Sequence, residues 1–269
     1  MILTAGSILR SNWVSASSSL RDATLAMLFP VECRVCGAMV ESWCDGVACA
    51  SCWLETECRI ERLKTEKNLC AKCGLPLPPS PQTNFPEDRR CGTCEEMAFN
   101  FARACGVYEG ALRESVLRLK RHPQISPRLR ELLKVTANDL QEKLPCDSII
   151  PVPLHPERLV KRKFNQAEII AAELAEMTRL PIDTASLIRA RHTEKHRAGM
   201  GARERARSLE KAFKVRAPRL IENRAVLLVD DVMTTGSTAH EIAQTLLKKG
   251  ARSVNVLTLA RAAVSSFSL

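Results

Sequence analysis

The stretch from Ala225 to Thr238 reads A-V-L-L-V-D-D-V-M-T-T-G-S-T. Its opening run, Ala225 to Val229, is apolar without alternation, as a strand covered on both faces of a parallel sheet must be. Two carboxylates follow at the carboxyl end of that strand, where open α/β sheets hold their ligands. Successive strand residues point to opposite faces, so Asp230 and Asp231 cannot both turn into the core, and must reach solvent, a cation or hydroxyl groups. The next residues suit an anion: Gly236 lets the backbone approach closely, while Thr234, Thr235, Ser237 and Thr238 supply hydroxyls. The amides at the start of a following helix add further donors, so the loop makes a seat for a sugar phosphate. That helix is written in Ala239, Ile242, Ala243, Leu246 and Leu247, one apolar stripe closed by Lys248, Lys249 and Gly250, and a second strand spans Val254 to Leu259.

The acid pair and its hydroxyl loop resemble the phosphoribosyl pyrophosphate (PRPP) motif of type I phosphoribosyltransferases. The resemblance implies that Asp230 and Asp231 meet the ribose hydroxyls, that Thr234, Thr235, Gly236, Ser237 and Thr238 cradle the 5′-phosphate, and that Mg²⁺ accompanies PRPP. A strand ending in acids also occurs in P-loop nucleotidases, but the chain has no G-x-x-x-x-G-K-[ST].

Eight of the twelve cysteines form four C-x-x-C pairs: Cys33/Cys36, Cys49/Cys52, Cys70/Cys73 and Cys91/Cys94. Thiolates two residues apart on a tight knuckle reach one tetrahedral ion, and two knuckles complete a closed four-thiolate site. The pattern predicts two structural zinc ions in a double zinc ribbon over residues 31–98. Spacing alone leaves successive and interleaved pairing open; successive ribbons close shorter loops and are favoured. A disulfide framework would need an oxidising compartment, for which no signal peptide is visible. Cys44 stands near enough to replace a ligand of the first site, Cys105 and Cys146 read as small core residues, and Gly37, Gly74 and Gly92 stand where knuckles often need positive φ. Prolines 76, 78, 79, 81 and 86 stiffen the loop between the last two pairs.

The remaining pattern is α/β. A strand is expected over Phe101 to Tyr108, helices over Ala111 to Lys120 and Pro127 to Leu140, a short buried strand from Ser148, and a helix over Gln166 to Met177. Between the last two lies a basic loop with Arg158, Lys161, Arg162 and Lys163, placed for a diphosphate if its strand neighbours the acidic one. Arg158, Arg162 and Lys163 are therefore the expected pyrophosphate ligands. His192 and His196 lie in an Arg-rich segment with Gly199 and Gly201 that reads as a solvated, mobile loop able to close over a ligand.

Forty Lys and Arg against thirty Asp and Glu leave +10, which suits polyanionic partners. An aromatic content of 4% argues against a base-stacking platform, which needs exposed Phe, Tyr or Trp. No run of eighteen apolar residues is present, so no transmembrane helix is expected and a cytoplasmic protein is. Residues 1–30 read as a frayed or amphipathic segment and residues 99–269 as the phosphoribosyltransferase-like domain, a doubly wound parallel sheet.

Taken in order, the cysteine knuckles, Tyr108-x-Gly110, Lys120, P-V-P-L from Pro151, N-Q-A from Asn165, Arg189-x-Arg191-x-Thr193, Glu204-Arg205, Ala212-Phe213 and the D-D-V-x-T-T-G string are similar to the ComF family from about Cys33 to Arg261. Lys163, His196 and Ser208 depart from the family's usual Gly, Gln and Asn. The resemblance implies a phosphoribosyltransferase fold behind a zinc ribbon and an association with DNA uptake in competence. Its partners would be PRPP, single-stranded DNA and DNA-uptake proteins, and its activity, if any, pentosyl transfer from PRPP. The rival expectation is a non-enzymatic single-stranded-DNA-handling protein that keeps the fold as a sensor or scaffold.

Overall fold

The computed structural model describes residues 24, 28–66, 68–78, 89–143, 145–190 and 212–262. His192, His196, Glu204, Arg205, Ser208, Pro79, Pro81, Pro86 and nearly all of the N-terminal segment lie outside the described residues. A four-stranded parallel sheet runs in the order β1-β6-β5-β2, where β1 is Phe101–Val107, β2 Ser148–Pro151, β5 Ala225–Met233 and β6 Ser253–Arg261. A separate antiparallel pair, β3 (Leu187–Arg189) and β4 (Phe213–Val215), forms a small hood.

Alternation along the central strands sorts the core into two layers. Ile150, Val226, Leu228, Val254 and Val256 face helix α6 (Ser237–Leu247) and the hood, where Ala239, Ile242, Ala243, Leu246, Leu187 and Phe213 meet them. Ile149, Leu227, Val229, Leu257 and Leu259 face the opposite way, onto α2 (Gly110–Leu119), α3 (Pro127–Lys143) and α5 (Gln166–Thr178). Both faces of the sheet are thus covered, which is why its strands are continuously apolar. The buried Leu112, Val116 and Leu119 of α2, and Ile170 and Leu174 of α5, are the stripe residues expected from the helical period.

Two features differ from the expectation. The helix α1 (Ala50–Thr65) was not expected, because its apolar residues are sparse and its face is set by Cys52, Trp53 and Thr56. The basic loop after β2 is in fact a short helix, α4 (Pro156–Arg162), opened by His155 and Pro156. Lys163 ends it in the left-handed conformation, at φ 68°. A side chain there costs about 1–2 kcal/mol, which glycine would avoid. Lys163→Gly is therefore expected to raise stability by about 0.5–1 kcal/mol in urea unfolding, after glycine's larger unfolded-state entropy is counted.

Candidate functional site

The carboxyl ends of β2 and β5 lie side by side, with Pro151 level with Val229 and the amide of Val152 donating to the Val229 carbonyl at 2.8 Å. β5 continues through the two acids to Met233, four residues beyond the expected end, so the sheet itself orients both carboxylates. Asp230 follows Val226 and Leu228 onto the α6 side, where it lines a cleft of about 30 Å³ with Thr234, Gly236, Ser237 and Thr238. Asp231 turns to the α2 side, where its carboxylate meets Lys120 Nζ at 3.3 Å. Opposite faces for adjacent strand residues separate the two carboxylates.

Burial, followed by the charge of Asp231 next door, pushes Asp230 up to about 8; the Asp231 amide, Lys120 and Arg189 oppose the rise. Near neutral pH Asp230 therefore holds its proton and presents little negative charge to an incoming polyanion. Arg189 is held below its ordinary value by burial and by the neighbouring cation Arg158, which feels Arg162 in turn. The guanidinium of Arg189 lies over the Phe213 ring, 5.4 Å from its centroid. Cations from the hood, from α4 and from the end of α2 thus converge on the acid pair. Of the three expected diphosphate ligands, Arg158 belongs to this convergence, Arg162 donates to Gln166 Oε1 at 3.0 Å, and Lys163 is exposed at the end of α4.

The hydroxyl loop is preformed. Thr235 and Ser237 share a hydrogen bond of 2.8 Å between their hydroxyls, and the Ser237 amide donates to Thr235 Oγ1 at 3.4 Å. Gly236 has φ 84°, a left-handed conformation that favours glycine, and a Cβ there would lie 2.9 Å from the flexible Met233 Cε, which would have to move aside. Arg261, at the end of β6, braces the loop by donating to the carbonyls of Met233 (2.9 Å) and Thr234. Lys120, Arg189 and Arg261 carry no local signature of these roles. Their positions become meaningful once the strand order brings distant segments together, although Lys120 and Arg189 stand at motif positions of the resemblance.

The eight knuckle cysteines gather into two groups in chain order, Cys33/Cys36/Cys49/Cys52 and Cys70/Cys73/Cys91/Cys94, each with its sulfurs within 4.8 Å of one another. Sulfur separations of 3.8 Å (Cys33–Cys52), 3.6 Å (Cys36–Cys49) and 3.4 Å (Cys70–Cys94, Cys73–Cys91) are too long for disulfides. They approach the edge, about 3.8 Å, of a tetrahedron with metal–sulfur arms of about 2.3 Å. Each group can hold a metal ion. The first pair of each lies on a hairpin-like knuckle, Glu32 bridging Met39 and Leu69 bridging Pro76, and the second pair lies at a helix start. A hydrogen bond with Ser51 and the Cys52 amide draw Cys49 down to about 6. Cys73 and nearby amides draw Cys70 down to about 3, so each group contains a ready thiolate. Cys44 is exposed and outside both groups, and Gly92 lacks the positive φ of Gly37 and Gly74 because it begins a 3₁₀ turn.

The second group is continuous with the site. Lys72 donates to the Met97 carbonyl at 2.8 Å, the Ala98 amide donates to His240 Nδ1 on α6 at 2.9 Å, and Phe99 and Met97 lie beneath Gly236.

Residues 165–266 match the phosphoribosyl transferase domain. The chain is similar to DNA utilization protein YhgH of Escherichia coli O157:H7, with 34% identity over 74% of this chain and 86% of the relative. It is also similar to competence protein F of Haemophilus influenzae, with 34% identity over 72% and 84%. Among solved structures, glutamine PRPP amidotransferase from B. subtilis aligns at 20% identity over 51% of this chain and 28% of that one, with a TM-score of 0.34. With this identity sustained across most of its length, the chain belongs to the ComF family, the group of the competence F and YhgH proteins.

Proposed function

We propose that this protein binds PRPP with Mg²⁺ at the β2–β5 edge, carries one zinc ion in each cysteine group, and serves in the uptake or utilisation of DNA in the cytoplasm. The observation that carries the PRPP reading is the junction of three parts at one sheet edge: acid pair, hydroxyl loop and converging arginines. The names of the relatives support the DNA role. Among the described residues no helix is long and apolar enough to cross a membrane.

Each group's part in this reading follows from its position. The amides and hydroxyls of residues 234–238 hold the 5′-phosphate, with Gly236 permitting close approach. The carboxyls of Asp230 and Asp231 take the ribose hydroxyls and fix the ring. Arg158, Arg162, Lys163 and Arg189 attract the diphosphate. Half-buried carboxyl oxygens beside an approaching diphosphate form a donor set that suits a hard cation. Magnesium, when bound, offsets diphosphate charge and so eases its departure. An acceptor converts binding into transfer, and parallel trials of bases, nucleosides and DNA for pyrophosphate release from PRPP would identify it.

Isothermal titration with PRPP and Mg²⁺ is expected to give a saturable heat. Asp230→Ala combined with Asp231→Ala should weaken it at least about thirtyfold, the loss of one contact to a neutral carboxyl, worth about 0.5–1.5 kcal/mol, and one to a charged carboxylate, worth about 1.5–3 kcal/mol. Unchanged heat in the double variant would remove the proposal.

A further inference from the structure

A second cleft, of about 550 Å³, lies between the first cysteine knuckle and the turn that follows α2. Its walls include Phe29, Arg34 and Trp43 on the knuckle side, and Arg118, Arg121 and His122 on the other. Trp43 is 50% exposed, although Trp53, ten residues on, is wholly buried. Exposing a large ring is unusual for a side chain that stabilises chiefly by burial. Among the described residues the three arginines have no carboxylate within ion-pair distance, whereas the two glutamates of the same cleft are already engaged, Glu114 with Arg113 and Glu173 with Arg130. Arg118 is also half-buried, so its charge is held close to the cleft wall.

We infer that this cleft binds a nucleotide, its base stacked on Trp43 and its phosphates on Arg34, Arg118 and Arg121. Guanidinium forks match phosphate oxygens two at a time, and aromatic faces accept any base. The volume falls within the range of small-molecule sites and holds one nucleotide. The cleft is separate from the acid pair but joined to it by a single turn. Arg118, Arg121 and His122 face the cleft, and Lys120 between them reaches Asp231. A nucleotide that pulls on this turn moves Lys120 relative to Asp231, which makes the cleft an effector site for PRPP binding. This coupling rests on the PRPP reading above, while the nucleotide site does not.

The test is a fluorescence titration of the full-length protein with ATP, AMP and inorganic triphosphate, without PRPP or magnesium. ATP is expected to quench tryptophan emission saturably, AMP to do so at higher concentration, and triphosphate to compete without quenching. Trp43→Phe should lose most of the quench. Arg118→Ala with Arg121→Ala should weaken ATP at least tenfold, and Asp230→Ala with Asp231→Ala should still bind ATP saturably. Absence of saturation, wild-type affinity in the arginine double variant, or loss of ATP binding in the aspartate variant would overturn the site. A single-stranded oligonucleotide that displaces ATP and binds far more tightly than any mononucleotide would overturn the choice of ligand. If ATP binds as expected yet leaves the heat of PRPP binding unaltered, the coupling fails and the cleft stands.

Discussion

Cys94→Ser or Cys70→Ser is expected to cost the protein its fold, whereas Cys36→Ser is expected to cost one metal ion and leave the sheet standing. The difference lies in where each group is packed. All four sulfurs of the second group are buried, and they share one core layer with Phe99, Ala102, Val254, Val256 and the inward face of α6. Cys36 of the first group is exposed, and that group packs with Trp53, Val40 and Ala111 in a smaller satellite cluster. A structural zinc ion contributes about 10–16 kcal/mol of apparent folding energy, against a total domain stability of about 5–15 kcal/mol. Losing such an ion from a group packed in the main core would therefore exceed what the remaining contacts can supply. Metal analysis together with urea unfolding followed by circular dichroism reads both outcomes. A Cys94→Ser protein with one fewer zinc and an unchanged urea midpoint would contradict the argument.

Asp230→Asn should make the protein more stable and less able to bind PRPP. The carboxyl of Asp230 titrates at about 8, against 3.8 in an unperturbed chain, because burial and Asp231 disfavour its charge. A carboxyl raised in the folded state costs nothing below its unfolded value. Its cost then grows as pH rises from about 4 to about 8, at up to about 1.4 kcal/mol per pH unit, and is constant above that. Asparagine keeps the shape and removes the charge. Discounted for the carboxyl's partial exposure, the gain at pH 8 should exceed that at pH 5 by roughly 2–4 kcal/mol. In a chain of this size that corresponds to a widening of the melting-temperature difference by roughly 5–10 °C. Melting curves of both proteins at the two pH values would settle the sign, and an equal shift at both would show that the charge of Asp230 carries no cost.

The parts of the fold that were legible in the sequence are those with a strong local period. The stripes of α2 and α6, the unbroken apolar run of β5 and the paired cysteines each state their own structure, because each depends on neighbours within a few residues. The acid pair was also legible, since strand alternation alone separates Asp230 from Asp231. What stayed hidden depends on distance in the chain. Lys120 meets Asp231 across more than a hundred residues, and Arg189 approaches Asp230 only because the hood folds over β5. The helix α4 has no local signal in the sequence, because Pro156–Arg162 buries no residue and so lacks an apolar stripe. The strand β5 ran past its expected end because Asp231 is paired and Asp230 is neutral near pH 7, which offsets the low strand propensity of aspartate.

The position of β6 has a consequence for biosynthesis. Among the described residues it follows the other strands of the sheet in chain order, yet it lies between β1 and β5 and joins them. While the ribosome still holds β6, β1 and β5 have no partner along that side, and the earlier helices have only a partial surface to settle on. The cysteine knuckles, emerging well before β6, can capture metal during this wait. A message truncated before Ser253 would yield metal-bearing knuckles attached to a chain unable to finish its sheet, a product suited to proteolysis.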